Sequence, residues 1–278
     1  MILADAHFHL FRGGFPGVYG RPLIANEVDV YEAFRARHGI AAGLVVGYEG
    51  EGIDPRNNAY IRELAATRPW MTTVAYVEAK SLPSPAAVTA LTAQGHAGLA
   101  VYATDTEAAT ALSQWNPDIW GALSAQNAIL SFNIDLQHVE RLRPIAATAT
   151  GCTFLVSHMG MPAPSVTPPD AATAEARLAP LLALAAVPTV MVKLSGFYAA
   201  TEPTHDYPHA AAVPLVRILL ERFGSERCVW GSDFSPALDH VSFAQSTAVP
   251  GLDEYDEPIR AAVMGGNLMR LLGKRGPS

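Results

Sequence analysis

The chain opens Ile2-Leu3-Ala4-Asp5-Ala6-His7-Phe8-His9-Leu10-Phe11-Arg12. Residues 2–7 form a short, mostly apolar run, the kind that suits a strand buried on both faces of a parallel sheet. The residues just after this run decide between two folds. An open doubly wound sheet that binds a dinucleotide carries G-x-G-x-x-G after its first strand. Here two histidines stand in that place, and Gly13-Gly14-Phe15-Pro16-Gly17 comes later and opens no helix, so it reads as a loop.

Seven further β-rich runs complete the pattern, at 41–46, 72–77, 98–103, 129–134, 153–157, 190–194 and 228–231. Stretches with readable helix ends lie between them. The helix over 26–37 stops at Gly39, and the one over 57–67 stops before Pro69. Ser84-Pro85 supplies an N-cap and a proline at the first helical position of a helix that ends at Gly95. Further helices are expected over 105–115, 137–150, 171–186, 209–223 and 257–272, with Pro144 and Pro180 near ends or kinks. Eight strands alternating with helices predict a single-domain α/β fold over 1–278, a (β/α)8 TIM barrel. The proline-rich segment 162–169 reads as an insertion after the sixth strand, either a solvated loop or a lid.

With 278 residues, half apolar and 16% charged, the chain can bury a large core. A net charge of −7 without a basic run argues against nucleic acid and against an anionic membrane surface. The apolar stretches are too short or too broken to span a bilayer, and no signal segment precedes Asp5. Cys152 and Cys228 read as reduced core residues. A cytoplasmic enzyme with a small-molecule substrate is the expectation, and a homo-oligomer stays open.

Strand residues two apart project to the same side, so His7 and His9 point together. At the carboxyl end of a barrel strand that side is the mouth, where barrel enzymes keep their active sites. The bland alternative is a hydrogen-bonded pair of core histidines. Two other strand ends bear on the choice. The sixth run ends Val156-Ser157-His158-Met159-Gly160 and the eighth ends Trp230-Gly231-Ser232-Asp233. A lone aspartate at a strand end commonly caps the next helix. Capping does not explain three strands delivering three histidines and an aspartate to one rim.

The D-A-H-F-H start, S-H-M-G, the K-L-S-G that begins at Lys193, W-G-S-D and the late G-G-N-L-M-R-L-L-G together resemble the amidohydrolase superfamily, in order and over nearly the whole chain. More narrowly they are similar to its lactonase-like branch, which includes sugar-lactone hydrolases and 2-pyrone-4,6-dicarboxylate lactonase. The resemblance implies a barrel that hydrolyses a lactone or ester, with Asp233 as the base that takes a proton from the attacking water. His7, His9 and His158 would then bind a metal or polarise the substrate carbonyl. With Asp233 they could hold one divalent ion, zinc or manganese; a metal-free site is the other reading. Many metal-dependent members also use a histidine or carboxylated lysine from the middle strands. The fourth strand (Leu99-Ala100-Val101-Tyr102) and the fifth (Leu130-Ser131-Phe132-Asn133-Ile134-Asp135) offer neither, which argues against a two-metal site.

Substrate-binding candidates by position are Arg12, Tyr48, Tyr76, Tyr102, Lys193, Ser195 and Tyr198, with Glu49 and Glu78 beside them. Arg12 suits a carboxylate or hydroxyl, or is a solvated rim residue. Lys193, in an apolar strand, needs a buried partner. His205 and His209 lie in a loop with no strand register and read as solvated. Two other functions remain in view: a metal-dependent non-oxidative decarboxylase of the same superfamily, and a non-catalytic ligand-binding barrel.

Overall fold

The computed structural model describes residues 1–273 and holds eight parallel strands in sequential order. They are β1 (Leu3–Phe8), β2 (Ile40–Val46), β3 (Met71–Glu78), β4 (Gly98–Ala103), β5 (Ile129–Ile134), β6 (Thr153–Val156), β7 (Val190–Leu194) and β8 (Cys228–Trp230). The extension of β8 returns to β1, where Phe8 bridges Phe234 and the Asp233 amide donates to the His7 carbonyl at 2.8 Å. The sheet thus closes into the expected (β/α)8 barrel.

Apolar residues on the two faces of each strand serve two packing layers. Ala4, Leu44, Val74, Ala100, Leu155 and Val229 fill the barrel interior. Phe8, Val45, Phe132, Phe154 and Trp230 join the larger layer between strands and helices. The helix Glu27–His38 has the expected ends, with Asn26 accepting from the Asp29 amide and Gly39 left-handed at φ 68. No helix among the described residues is long and apolar enough to cross a membrane. Both cysteines are buried.

Several expected boundaries shift for local reasons. Asp105 caps a helix (Thr106–Ser113) that stops early, and Asn116-Pro117 starts another (Pro117–Ala125) that the strand-and-helix pattern does not anticipate. The 137–150 stretch begins as a 3-10 turn before Leu142–Thr148. The 209–223 helix begins only at Val213, because left-handed His209 (φ 61) leads into a 3-10 turn. The last stretch carries a π turn (Ala262–Gly266) between Glu257–Ala261 and Asn267–Gly273. That turn brings Gly265 against β1, where a Cβ would lie 2.3 Å from the Ile2 carbonyl oxygen. Asn267 then donates to the Ser225 and Cys228 carbonyls at 2.7 Å each, which explains the G-G-N spacing. The proline-rich segment 162–169 is tied down beside the loop after β7, where the Ser165 and Glu202 amides donate to Ala200 O and Ser165 O.

Two buried carboxylates fasten the barrel seam. Asp5 accepts from the Tyr31 hydroxyl (2.9 Å) and from the amide and hydroxyl of Ser232. Glu27 accepts from the Phe11 amide (2.6 Å), the Phe15 amide (2.8 Å) and the Ser235 hydroxyl, joining the loop after β1 to the loop after β8. Burial pushes the Glu27 carboxyl from 4.5 up to about 7, against those hydrogen bonds. Between these values the folded protein keeps a proton that the unfolded chain has released, so stability falls as pH rises from 4.5 to about 7. The window corresponds to about 3 kcal/mol. Glu27→Gln removes this titration. Urea unfolding between pH 4.5 and 7 should show a flatter pH dependence in the variant, whatever its absolute stability, and parallel curves would refute the assignment.

Candidate active site

A β-bulge sets the orientation of the two histidines. Asp5 pairs with Gly43 but Phe8 pairs with Val45, so β1 carries one more residue than β2 over this span. Phe8 turns outward to stack on Tyr31 at 4.1 Å between ring centres. His7 and His9 turn inward, with their Nε2 atoms 3.2 Å apart. His9 is fixed by its Nδ1, which donates to the Val46 carbonyl at 2.8 Å. That bond leaves Nε2 of His9 without a proton while the ring is neutral.

His158 comes from the tight turn after β6, where it and Met159 have φ of 52 and 58. Its Nδ1 lies 3.0 Å from the Ser195 hydroxyl. Asp233 follows β8, also left-handed at φ 57, a region that aspartate tolerates better than most residues. One oxygen of Asp233, Oδ1, faces the Nε2 atoms of His7, His9 and His158 at 3.5, 3.8 and 4.0 Å. The other, Oδ2, accepts from the Tyr198 hydroxyl at 2.6 Å. The four expected rim residues therefore meet.

Lys193 lies beneath them, fully buried. Its Nζ donates to Ser131 Oγ at 2.7 Å and lies 3.0 Å from His7 Nδ1, with Ser157 Oγ also 3.3 Å from that nitrogen. The buried partner that the sequence demands is thus a serine and an imidazole, and Lys193 does not line the open mouth. While Lys193 is charged, His7 Nδ1 must accept, which puts the His7 proton on Nε2, pointing toward His9.

These distances would admit ion pairs between Asp233 and each imidazole, but burial decides otherwise. Desolvation, reinforced by the Lys193 charge, holds His7 well below the ordinary histidine range and His158 at about 3. His9 falls to about 4, again through burial, although Asp233 opposes the shift. All three rings are neutral at pH 7. Burial also lowers Lys193 to about 7 and raises Asp233, with His9, Tyr198 and Lys193 pulling Asp233 back toward its charged form.

The donor set fits one metal ion. Ligands about 2.1 Å from a tetrahedral ion stand about 3.4 Å apart. Donor atoms of His7, His158 and Asp233 all lie within 4.8 Å of one another, and His9 Nε2 adds a nitrogen 3.2 Å from that of His7. His9 and His158 have their far nitrogens anchored, as metal ligands commonly do. Tyr102 and Asn133 at the mouth ends of β4 and β5 are neutral, so those strands supply no acidic, histidine or cysteine ligand for a second ion.

The remaining expected residues divide. Tyr48, Tyr76 and Tyr102 form one cluster, with ring centres 4.8–5.7 Å apart. Ser195 and Tyr198 hydrogen-bond to His158 and Asp233. Arg12 is half exposed and pairs with Asp54 at 3.7 Å instead of reaching the histidines. Glu49 is engaged by Asn58, through its amide at 2.7 Å and its side chain at 3.1 Å. His205 is exposed as expected, but His209 is only 5% exposed, so the solvated reading fails for it. Sequence reasoning missed Ser131, Ser157 and Asn133. Ser131 and Asn133 stand two apart on β5 and Ser157 directly precedes His158, and that spacing was the available signal.

The comparisons with known proteins agree with this architecture. No curated protein matches the chain by sequence. An amidohydrolase from Burkholderia multivorans with bound zinc superposes with a TM-score of 0.78 at 18% identity, covering 98% of this chain and 99% of that one. A "probable 2-pyrone-4,6-dicarboxylic acid hydrolase" from Acinetobacter baumannii, with citric acid bound, gives 0.75 at 16% identity, covering 98% and 100%. An amidohydrolase from Bifidobacterium longum subsp. infantis gives 0.64 at 17% identity, covering 98% and 99%. At these identities the structures share a fold with this chain. The amidohydrolase family model matches residues 4–274. The chain therefore belongs to the amidohydrolase family of hydrolases.

Proposed function

We propose that the protein opens a lactone by attack of water on its carbonyl, with Asp233 as general base. The observation that carries this reading is the placement of Asp233 Oδ1 within 3.5–4.0 Å of three neutral imidazoles, while Oδ2 is held by Tyr198. An ionised carboxylate so held has one oxygen free to take a proton, and its neighbours do not neutralise it as ion-pair partners. The structural likeness to a protein described as a probable 2-pyrone-4,6-dicarboxylic acid hydrolase supports the choice of a lactone.

In this scheme a water beside Asp233 attacks the carbonyl carbon as its proton passes to Oδ1. The carbonyl oxygen takes on negative charge, which a hydrogen-bond donor at the site would stabilise; removing one such donor typically costs about 2.7–4 kcal/mol of transition-state stabilisation. Collapse of the tetrahedral intermediate breaks the ring C–O bond. The proton on Asp233 then passes to the departing alkoxide, leaving a hydroxy acid and restoring the carboxylate. His7, His9, His158 and Asp233 would hold one divalent ion, zinc or manganese, and such an ion supplies Lewis-acid polarisation and lowers the pKa of water toward about 7. Below about pH 7 Lys193 places positive charge behind His7, and Tyr198 fixes which oxygen of Asp233 faces the substrate.

Asp233→Asn should lower kcat for acid release by about 10²–10⁴ while the circular-dichroism spectrum stays unchanged. Undiminished turnover in a folded variant would refute Asp233 as the base. Tyr198→Phe tests the orienting hydroxyl separately. Its hydrogen bond favours the carboxylate form of Asp233, so losing it raises the Asp233 pKa further. The acid limb of kcat/KM against pH should move to higher pH in the variant; an unmoved limb would remove Tyr198 from the account.

A further inference from the structure

The wall of the mouth formed by β4 and β5 has a feature that the hydrolytic scheme does not use. Tyr102 and Asn133 are direct partners in the β4–β5 register. Neighbouring strands run about 4.8 Å apart, so their side chains stand next to each other. Asn133 lies two residues beyond Ser131, whose hydroxyl meets Lys193 inside the barrel, so Asn133 faces inward as well. Tyr102 packs on the interior cluster beside Ala100 and touches Tyr48 and Tyr76. The Tyr102 hydroxyl and Asn133 Oδ1 are both buried, and neither has a hydrogen-bond partner among the described residues. A buried polar atom left unpaired costs about 1–3 kcal/mol, and two side by side at a mouth mark a place where a ligand completes the bonding.

The charges nearby define that ligand. Burial raises the Tyr102 phenol far above its ordinary value, and the charge of Asp233 raises it further, so Tyr102 stays a neutral donor within reach of the site's field. Tyr76 is pushed up to about 12 by burial, with Glu78, Tyr48 and Glu49 adding to the shift. Carboxylates thus flank this wall. The two cations that the sequence places near the mouth are already paired, Arg12 with Asp54 at the surface and Lys193 with Ser131 and His7 below it. A substrate carboxylate would meet repulsion here, whereas a hydroxyl-bearing ligand can accept from Tyr102 and donate to Asn133.

We propose that Tyr102 and Asn133 form a hydroxyl-reading pair, with Asn133 as a specificity-determining residue, and that the site selects an uncharged, hydroxyl-bearing lactone over a carboxylated one. The substrate side of this inference rests on the proposed lactone reading, while the contacts themselves do not. A site built to bond a hydroxyl discriminates strongly against an analogue lacking it, because its own groups are then left unpaired.

Calorimetric titration of the Asp233→Asn variant, which keeps the lactone intact, tests the pair apart from turnover. The probes are a set of aldono-1,4- and 1,5-lactones of differing configuration, the monodeoxy analogues of whichever binds tightest, and 2-pyrone-4,6-dicarboxylate. The tightest aldonolactone should bind at least about 30-fold more tightly than one of its monodeoxy analogues and than the dicarboxylate. That preference should shrink to within about threefold when Asn133→Leu or Tyr102→Phe is added. Tighter binding of the dicarboxylate, equal binding of every deoxy analogue, no binding of any aldonolactone, or a preference that survives both substitutions would each overturn the inference. Tyr102→Phe removes one oxygen without changing shape, so it guards against misfolding in the Asn133 variant. If wild-type protein releases acid from no lactone yet the binding preference persists, the hydrolytic reading fails and the hydroxyl-reading pair stands.

Discussion

A buried lysine lies beneath a buried carboxylate at the mouth of this barrel, and the rest of the site is arranged around them. An isolated charge in a protein interior is costly, and a buried pair is tolerated only when its remaining bonding capacity is satisfied. Lys193 has no surface exposure and Asp233 only 3%. They are not in direct contact. Lys193 is satisfied by Ser131 and His7, and Asp233 by Tyr198, with His7 between the two charges. Each charge moderates the shift that burial imposes on the other. The imidazoles, caught in the same desolvated space beside Lys193, are held well below the ordinary histidine range. A carboxylate among neutral rings can act as a base; the same carboxylate among imidazolium ions would be an ion-pair partner.

That arrangement depends on closing the barrel. Asp233 stands past the last residue of β8, and its amide is held by the His7 carbonyl across the seam. Asp5 and Glu27 bond to Ser232 and Ser235 on either side of it, so Asp233 and the histidines are fixed to one another through the backbone. The C-terminal π turn reaches the same seam from the opposite end, where Gly265 allows close approach to Ile2. Positioning of the site and closure of the fold thus rest on the same few contacts.

The parts legible in the sequence were those carried by strand ends. H-x-H after a buried run, His158 after Val156-Ser157 and Asp233 after Trp230 each stand where a barrel strand delivers its mouth residues, and the structure brings them together. The unreadable parts depend on partners remote in sequence. Glu27 reads as an ordinary acidic residue in a first helical turn, yet its partners are two loop amides and Ser235. The bulge in β1 leaves no glycine or proline as a signal, and only the register against β2 exposes it. Arg12 follows the histidines closely enough to suggest substrate binding, but the loop carries it outward to Asp54. Asn133 looks like a weak strand residue until its unpaired oxygen is seen beside Tyr102.

The constraint at the centre of the site is electrostatic: Asp233 faces three uncharged imidazoles and forms an ion pair with none of them. The direct measurement is nitrogen-15 NMR of the histidine rings in metal-free protein at pH 6, with His7, His9 and His158 assigned by substitution. The account predicts three neutral rings, with the proton of His9 on Nδ1 facing Val46 and that of His7 on Nε2 while Lys193 is charged. An imidazolium signal from any of the three at that pH would mean that Asp233 is neutralised by a partner, and would contradict its role as the base.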